Sequence, residues 1–205
     1  MNKKIILSIC FFAISSFSFG QDKDKSKFGY GIGFGFGNST LENSQFGVLN
    51  GNIFSLNFNV DYSFTDKGNT KLISGFDFLD VNSNFYNGIN QSKLKNEYMQ
   101  IPLKIKHKIS FDKEDKLNLV VGIGVYANFL LRSNVTTLDG KINTESNGIN
   151  FGYNYLFGME YNLSANTSIG ITADVMNELN AIKKNGLEQK QTDILLFNIG
   201  FSTRF

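Results

Sequence analysis

Three features of this sequence predict an all-β chain, an eight-stranded antiparallel transmembrane β-barrel with short periplasmic turns and longer extracellular loops. Bulky residues alternate with small or polar ones in eight segments, the joins between segments are in turn long and short, and an export leader comes first.

The leader is MNKKIILSICFFAISSFSFGQ. Lys3 and Lys4 precede an apolar run from Ile5 to Phe17, and Ser18-Phe19-Gly20 puts small residues at both cleavage positions. Residues 1–20 are therefore expected to be a signal peptide, with Gln21 as first mature residue, 21–27 a short N-terminal segment and 28–205 the barrel domain. Cys10 sits in mid-run and leaves with the leader, so the mature chain has no thiol for a disulfide, a metal or a nucleophile. Removing Lys3 and Lys4 takes the 20 basic residues to 18, against 18 acidic ones. The mature chain has no net charge and no basic surplus for nucleic acid. No apolar run of membrane-spanning length follows, while 20 glycines and a single proline fit strands.

The first strand is FGYGIGFGFG, Phe28 to Gly37, with aromatic or aliphatic residues on one face and glycine on the other. In the second, Phe54, Leu56, Phe58, Val60, Tyr62 and Phe64 alternate with Ser, Asn and Asp. The third carries Leu72, Phe76 and Phe78; the fourth runs from Met99 through Ile105 and His107 to Phe111. Leu117 to Leu131, Phe151 to Tyr161, Ile169 to Val175 and Leu195 to Phe205 complete the eight. The joins at 38–51, 82–96 and 132–148 are long, a medium one spans 181–192, and those at 65–69, 112–116 and 163–166 are short. The two ends of the strand array thus face different surroundings.

The bulky register holds no Lys, Arg or Glu; Asp80, at a strand end, and His107 are its ionisable members. An eight-stranded lumen is too narrow for so many large side chains, so this register is expected on the outside, where only lipid tolerates it. The glycines of the first strand then face a crowded lumen. They are no nucleotide loop, because Phe36 stands where the third glycine of G-x-G-x-x-G belongs. Phe205, in register with Phe201, Ile199 and Phe197, looks like the C-terminal assembly signal of bacterial outer-membrane proteins.

The inward register carries Asp61, Lys71, Asp77, Lys104, Lys106, Lys108, Glu160, Asp174, Glu178 and Arg204. With the N-terminus periplasmic, Lys104 and Asp174 fall near mid-height, with Asp61, Lys106, Lys108, Glu160 and Arg204 lower down. Charges in such a tube must pair or bind water, and a salt-bridged structural network outweighs an ion or proton path, for which eight strands leave no continuous channel. A lipid-modifying enzyme would need a base near a nucleophile at the membrane rim. The single histidine, His107, faces lipid, and its nearest downstream serine, Ser110, lies on the opposite face. No cluster has metal-ligand spacing, and no cofactor is expected. Phe46, Phe85 and Tyr86 fall in the long joins as recognition anchors or as packing between loops.

YMQIPLKIKHK, Tyr98 to Lys108, resembles the fourth strand of the PorT-type outer-membrane β-barrel family of Bacteroidetes, through Tyr98, Ile101, Pro102 and Leu103. LVVGIGVYANFLL (119–131) is similar to that family's next strand, with Gly124-Val125-Tyr126 where Gly-Pro-Tyr is usual. The resemblance implies the same barrel and carries no catalytic residues. The family is named for a component of gliding and type IX secretion, a role most of its members do not share. Pro102 cannot donate a ladder bond, which predicts a bulge there or a water or side chain on the partner carbonyl. The expected protein is a monomeric, non-enzymatic structural or interaction protein of the outer membrane, in contact with its lipid, with the barrel-assembly machinery during insertion and with an envelope protein partner. A secretion or gliding accessory, a narrow pore and a lipid-modifying barrel are the alternatives.

Overall fold

The computed structural model describes residues 27–204 apart from 66–67, 87–89, 113, 138–139, 145–147 and 185–186. The expected signal peptide, residues 21–26 of the short segment and the assembly signal Phe205 lie outside the described residues. Eight long strands carry the fold: β1 (Phe28–Asn43), β2 (Gly47–Ser63), β3 (Thr70–Tyr86), β4 (Gln91–Ser110), β5 (Leu117–Thr137), β7 (Gly148–Asn162), β8 (Thr167–Glu178) and β10 (Leu187–Arg204). Two short strands, β6 (Gly140–Thr144) and β9 (Ile182–Lys184), pair with β5 and β10. Neighbouring long strands are antiparallel, and β1 pairs with β10 from Gly29↔Arg204 to Asn43↔Gln189, closing the ring. Closure satisfies the backbone inside lipid and leaves the wall without an edge.

The bulky register is the outer surface. Ile32, Phe34, Phe36, Phe76, Phe78, Ile123, Tyr155 and Phe157 are all exposed, while Ser55, Asn57, Asp77 and Asn154 of the alternate register are buried. The glycines of β1 make room within the wall and the lumen: a Cβ on Gly35 would strike Asn198 and Ser55, and one on Gly29 would lie 3.0 Å from the Asp61 carboxylate. Short turns between β2 and β3, β4 and β5, and β7 and β8 share one end with Phe28 and Arg204. That is the periplasmic end of the outer-membrane plan.

The long joins are a correction to the sequence reading. Most of 38–51 and 82–96 is strand, because β1 and β2 run on to a turn at 44–46 and β3 and β4 continue to Tyr86 and from Gln91. β5, at 21 residues, has about twice the length that spanning needs. The reason is an inversion of pattern. On β3 the outward residues pass from Phe76 and Phe78 to Asp80 and Asn82, while the inward residues pass from Lys71 and Asp77 to Leu79 and Val81. Above the lipid the wall keeps its apolar residues inside, as a water-soluble barrel does.

Two bulges attend the inversion. Glu97 pairs with Arg132 and Tyr98 with Leu130, so Leu131 is an extra residue and both Leu131 and Arg132 point outward. On the far side Asn38 pairs with Leu195 and Thr40 with Thr192, with Asp193 in a left-handed conformation at φ 49°. Above these points the interior is filled. Tyr98, Tyr126, Leu130, Met176, Ile194 and Leu196 belong to one buried cluster. Leu41, Leu49, Leu94 and Val135 form a second beneath Phe46 and Phe85, whose rings stack at 4.5 Å.

At Pro102 no bulge forms. β3 and β4 pair down to Ser74↔Leu103 and resume at Asp77↔Gln100 in the same register, lapsing opposite Pro102, whose missing N–H leaves the ladder short. The Ser74 hydroxyl donates to the Pro102 carbonyl at 2.9 Å. Gly75 has φ 154°, and a Cβ there would strike the Phe58 carbonyl, so only glycine fits.

Candidate functional site

The lumen is polar below the apolar plug. Asp174, 2% exposed, takes the Lys104 ammonium at 3.0 Å and amide N–H groups from Asn154 and Asn198, each at 2.8 Å. These come from β8, β4, β7 and β10, so the cluster ties opposite walls together. Nearer the periplasm, Glu160 on β7 receives Lys106 at 2.9 Å, Lys108, and the Ser168 hydroxyl at 2.6 Å. Asp61 on β2 takes Lys71 on β3 at 3.1 Å. Arg204 stands apart from these pairs, with its guanidinium laid over Gly68 in the β2–β3 turn. Between the clusters is a cavity of about 120 Å³ lined by Asn57, Asp77, Lys104, Lys106, Glu160 and Asp174. Ile73 and Leu156 also line it, and its charged and amide groups offer hydrogen-bond partners to water.

Two arrangements were hidden from the sequence. Glu178, 3% exposed, is held by the Asn128 and Asn150 amides at 2.7 and 2.8 Å and by the Gln191 backbone N–H at 2.6 Å, a buried carboxylate met by neutral donors. Tyr98 fills the plug with its hydroxyl bonded to the Gln189 and Asn96 amides at 2.6 and 3.2 Å. Asn128 on β5 reaches Glu178 on β8, and Gln189 on β10 reaches Tyr98 on β4, contacts between non-neighbouring strands that only strand stagger sets.

The chemistry this supports is cohesion. His107 pairs with the Thr70 hydroxyl at 2.8 Å across the β3–β4 ladder, while Ser110 turns to the Asp112 carbonyl. No carboxylate among the described residues bonds the imidazole as the acid of a triad would. Among the described residues no group of His, Cys, Asp and Glu is placed to hold a metal ion.

A closed antiparallel barrel with an aromatic outer belt, a charged lumen and Phe28 and Arg204 at the short-turn end defines a small β-barrel protein of the outer membrane. The chain belongs to the outer membrane protein β-barrel domain family, whose model matches residues 7–205. Among solved structures it is similar to neisserial surface protein A, at 14% identity and a TM-score of 0.53, over 88% of this chain and 98% of that one. It is also similar to OprG from Pseudomonas aeruginosa, with 14% identity and a TM-score of 0.46 over 88% and 97% of the two chains. For Ail, the attachment invasion locus protein of Yersinia pestis, the values are 12% and 0.41 over 87% and 99%. At such identities the likeness is one of fold alone. No curated protein matches the chain.

Proposed function

We propose that this is a non-enzymatic outer-membrane barrel with a structural or interaction role, which holds a rigid turret above the lipid. The observation that carries the reading is the two-part lumen: ion pairs cross the lower half, and a packed plug of Tyr98, Tyr126, Leu130 and Met176, with the amide-held Glu178 beside it, fills the upper half. A pore needs a water path through that plug, and an enzyme needs more at the rim than His107 and Thr70. The turret ends in Phe46 and the exposed Tyr86, suited to an envelope protein partner. Planar-bilayer recordings of the purified protein test the closed lumen: no steady conductance is expected, and an open channel would sink the reading. Lipid profiles should be the same for the native protein and His107→Ala, and a change would favour the enzyme.

The narrower reading, a PorT-type barrel of Bacteroidetes serving a secretion or gliding machine, draws support from Tyr98, Ile101, Pro102 and Leu103. Co-purification with envelope machinery that is lost on Tyr86→Ala would favour it. The proposal includes export through a leader cleaved before Gln21, insertion guided by Phe205, and a monomer in lipid. N-terminal sequencing of the membrane-extracted protein checks the first of these.

A further inference from the structure

We infer that the periplasmic mouth of the lumen is a binding site for a small oxyanion of the phosphate or carboxylate class. A recess of about 70 Å³ opens there, lined by the cations Lys71, Lys108 and Arg204 and by the polar residues Asn69, Asn166 and Ser202, with Asp115 as an acidic member. One water needs about 10–15 Å³ of such space, so the recess has room for several water-sized groups, enough for a tetrahedral oxyanion or a carboxylate.

Charge supplies the second argument. At this end of the tube Lys71, Lys106, Lys108 and Arg204 meet the buried carboxylates of Asp61 and Glu160 and the Asp115 side chain at the recess, four cations against three acids. Glu160 is already shared by two ammonium groups, while the compensating acids, Asp77 and Asp174, lie beyond it in the upper cavity. Low-dielectric walls focus the positive field of the mouth, and an anion entering from the periplasm meets it first. The third argument is the place of the guanidinium. Gly68 has φ 70°, and the Arg204 guanidinium lies where a Cβ of residue 68 would be, at the edge of the recess. Arg204 presents a planar fork that suits phosphate and carboxylate oxygens. Lys71 is 5% exposed, so a bound anion would meet ammonium groups screened little by water.

The test uses the mature chain refolded in neutral detergent and titrated with inorganic phosphate at constant ionic strength, with amide resonances followed by NMR. Saturable shifts at Ser202, Arg204 and Lys108 are expected, and Arg204→Gln should weaken binding about tenfold, the worth of one charge-assisted hydrogen bond. Arg204→Lys should recover part of the loss, and Lys95→Gln, on the outer wall above the lipid, should change nothing. A boiled and unboiled gel pair verifies that each variant is folded. Shifts reproduced by chloride, or an Arg204→Gln protein that binds phosphate undiminished, would overturn the inference. Short-chain phosphatidylglycerol then identifies the source: if it displaces phosphate where phosphatidylcholine does not, the natural ligand is a lipid headgroup, and if neither competes it is a soluble periplasmic anion.

Discussion

The inversion of pattern along β3 makes its outward and inward positions respond to the same substitution in opposite ways at two heights. Lysine placed at Phe76, Asn82 and Val81 probes this. Phe76 is outward, 50% exposed and in the lipid-facing belt, where a lysine costs about 2–4 kcal/mol near the bilayer midplane. Asn82 is outward but above the lipid, so Asn82→Lys should cost about 0–1 kcal/mol, the value for a charge near the interface. Val81, one residue away, is 1% exposed in the plug among Leu79, Tyr98 and Leu196. An unpaired ammonium there costs at least about 3 kcal/mol, in the range seen when a buried charge loses its partner. Stability is read from reversible urea unfolding in lipid vesicles, with the folded fraction scored by gel mobility without boiling. Were residues 79–86 a loop beyond a strand ending at Phe78, Val81→Lys would be as mild as Asn82→Lys. Equal costs within about 0.5 kcal/mol for those two would refute the turret.

Asp174→Asn leaves Lys104 buried without its counter-charge and should cost about 3 kcal/mol, the low end for a broken buried pair because the adjoining cavity admits water; Lys104→Met with Asp174→Leu should recover most of the loss in the same unfolding assay. Gly75→Ala, at φ 154° against the Phe58 carbonyl, should cost at least about 2 kcal/mol. Pro102→Val should stay within about 1 kcal/mol of the native protein, since the N–H it restores to the ladder offsets the lost restraint on the unfolded chain; a fall as large as that of Gly75→Ala would mean that the proline ring itself is needed. Native membranes run on a denaturing gel should give a fast band that moves on boiling, and a band that does not move would argue against a closed barrel.

The eight spanning segments were legible because lipid outside and a narrow lumen inside write a two-residue code, which Phe54 to Phe64 follows without interruption and Phe151 to Tyr161 breaks only at Leu156. The same code hid the turret. From Asp80 the outward register turns polar, and a reading that follows bulky residues ends the strand there, although Leu79 and Val81 continue it on the other face. Bulges hid the rest: Leu131 and Arg132 both face out, and Asp193 shifts β10 by one, so faces cannot be carried through them by counting. In the lumen the sequence gives a face but no partner. Lys104 meets Asp174 through the stagger of non-adjacent strands, and His107 meets Thr70 on the neighbouring strand instead of Ser110 on its own.

Why the charged network and the apolar plug sit at different heights follows from what each half of the tube must exclude. The turret is surrounded by water, so its interior gains from apolar burial, and Tyr98, Leu130 and Met176 supply it as in any soluble core. The spanning half has lipid outside and gains nothing by moving apolar groups inward. Its small residues, Gly33, Gly35, Ser55 and Asn57, leave space that polar side chains fill by bonding across the lumen. A charged network is stable there only while every member is paired or hydrated. The plug lies on the extracellular side of the cavity beside Asp77 and Lys104, and the recess with Arg204 lies on its periplasmic side. The two ends of the tube therefore differ: at the periplasmic mouth Lys71 and Lys108 are paired with Asp61 and Glu160, and Arg204, in no ion pair among the described residues, stands beside them.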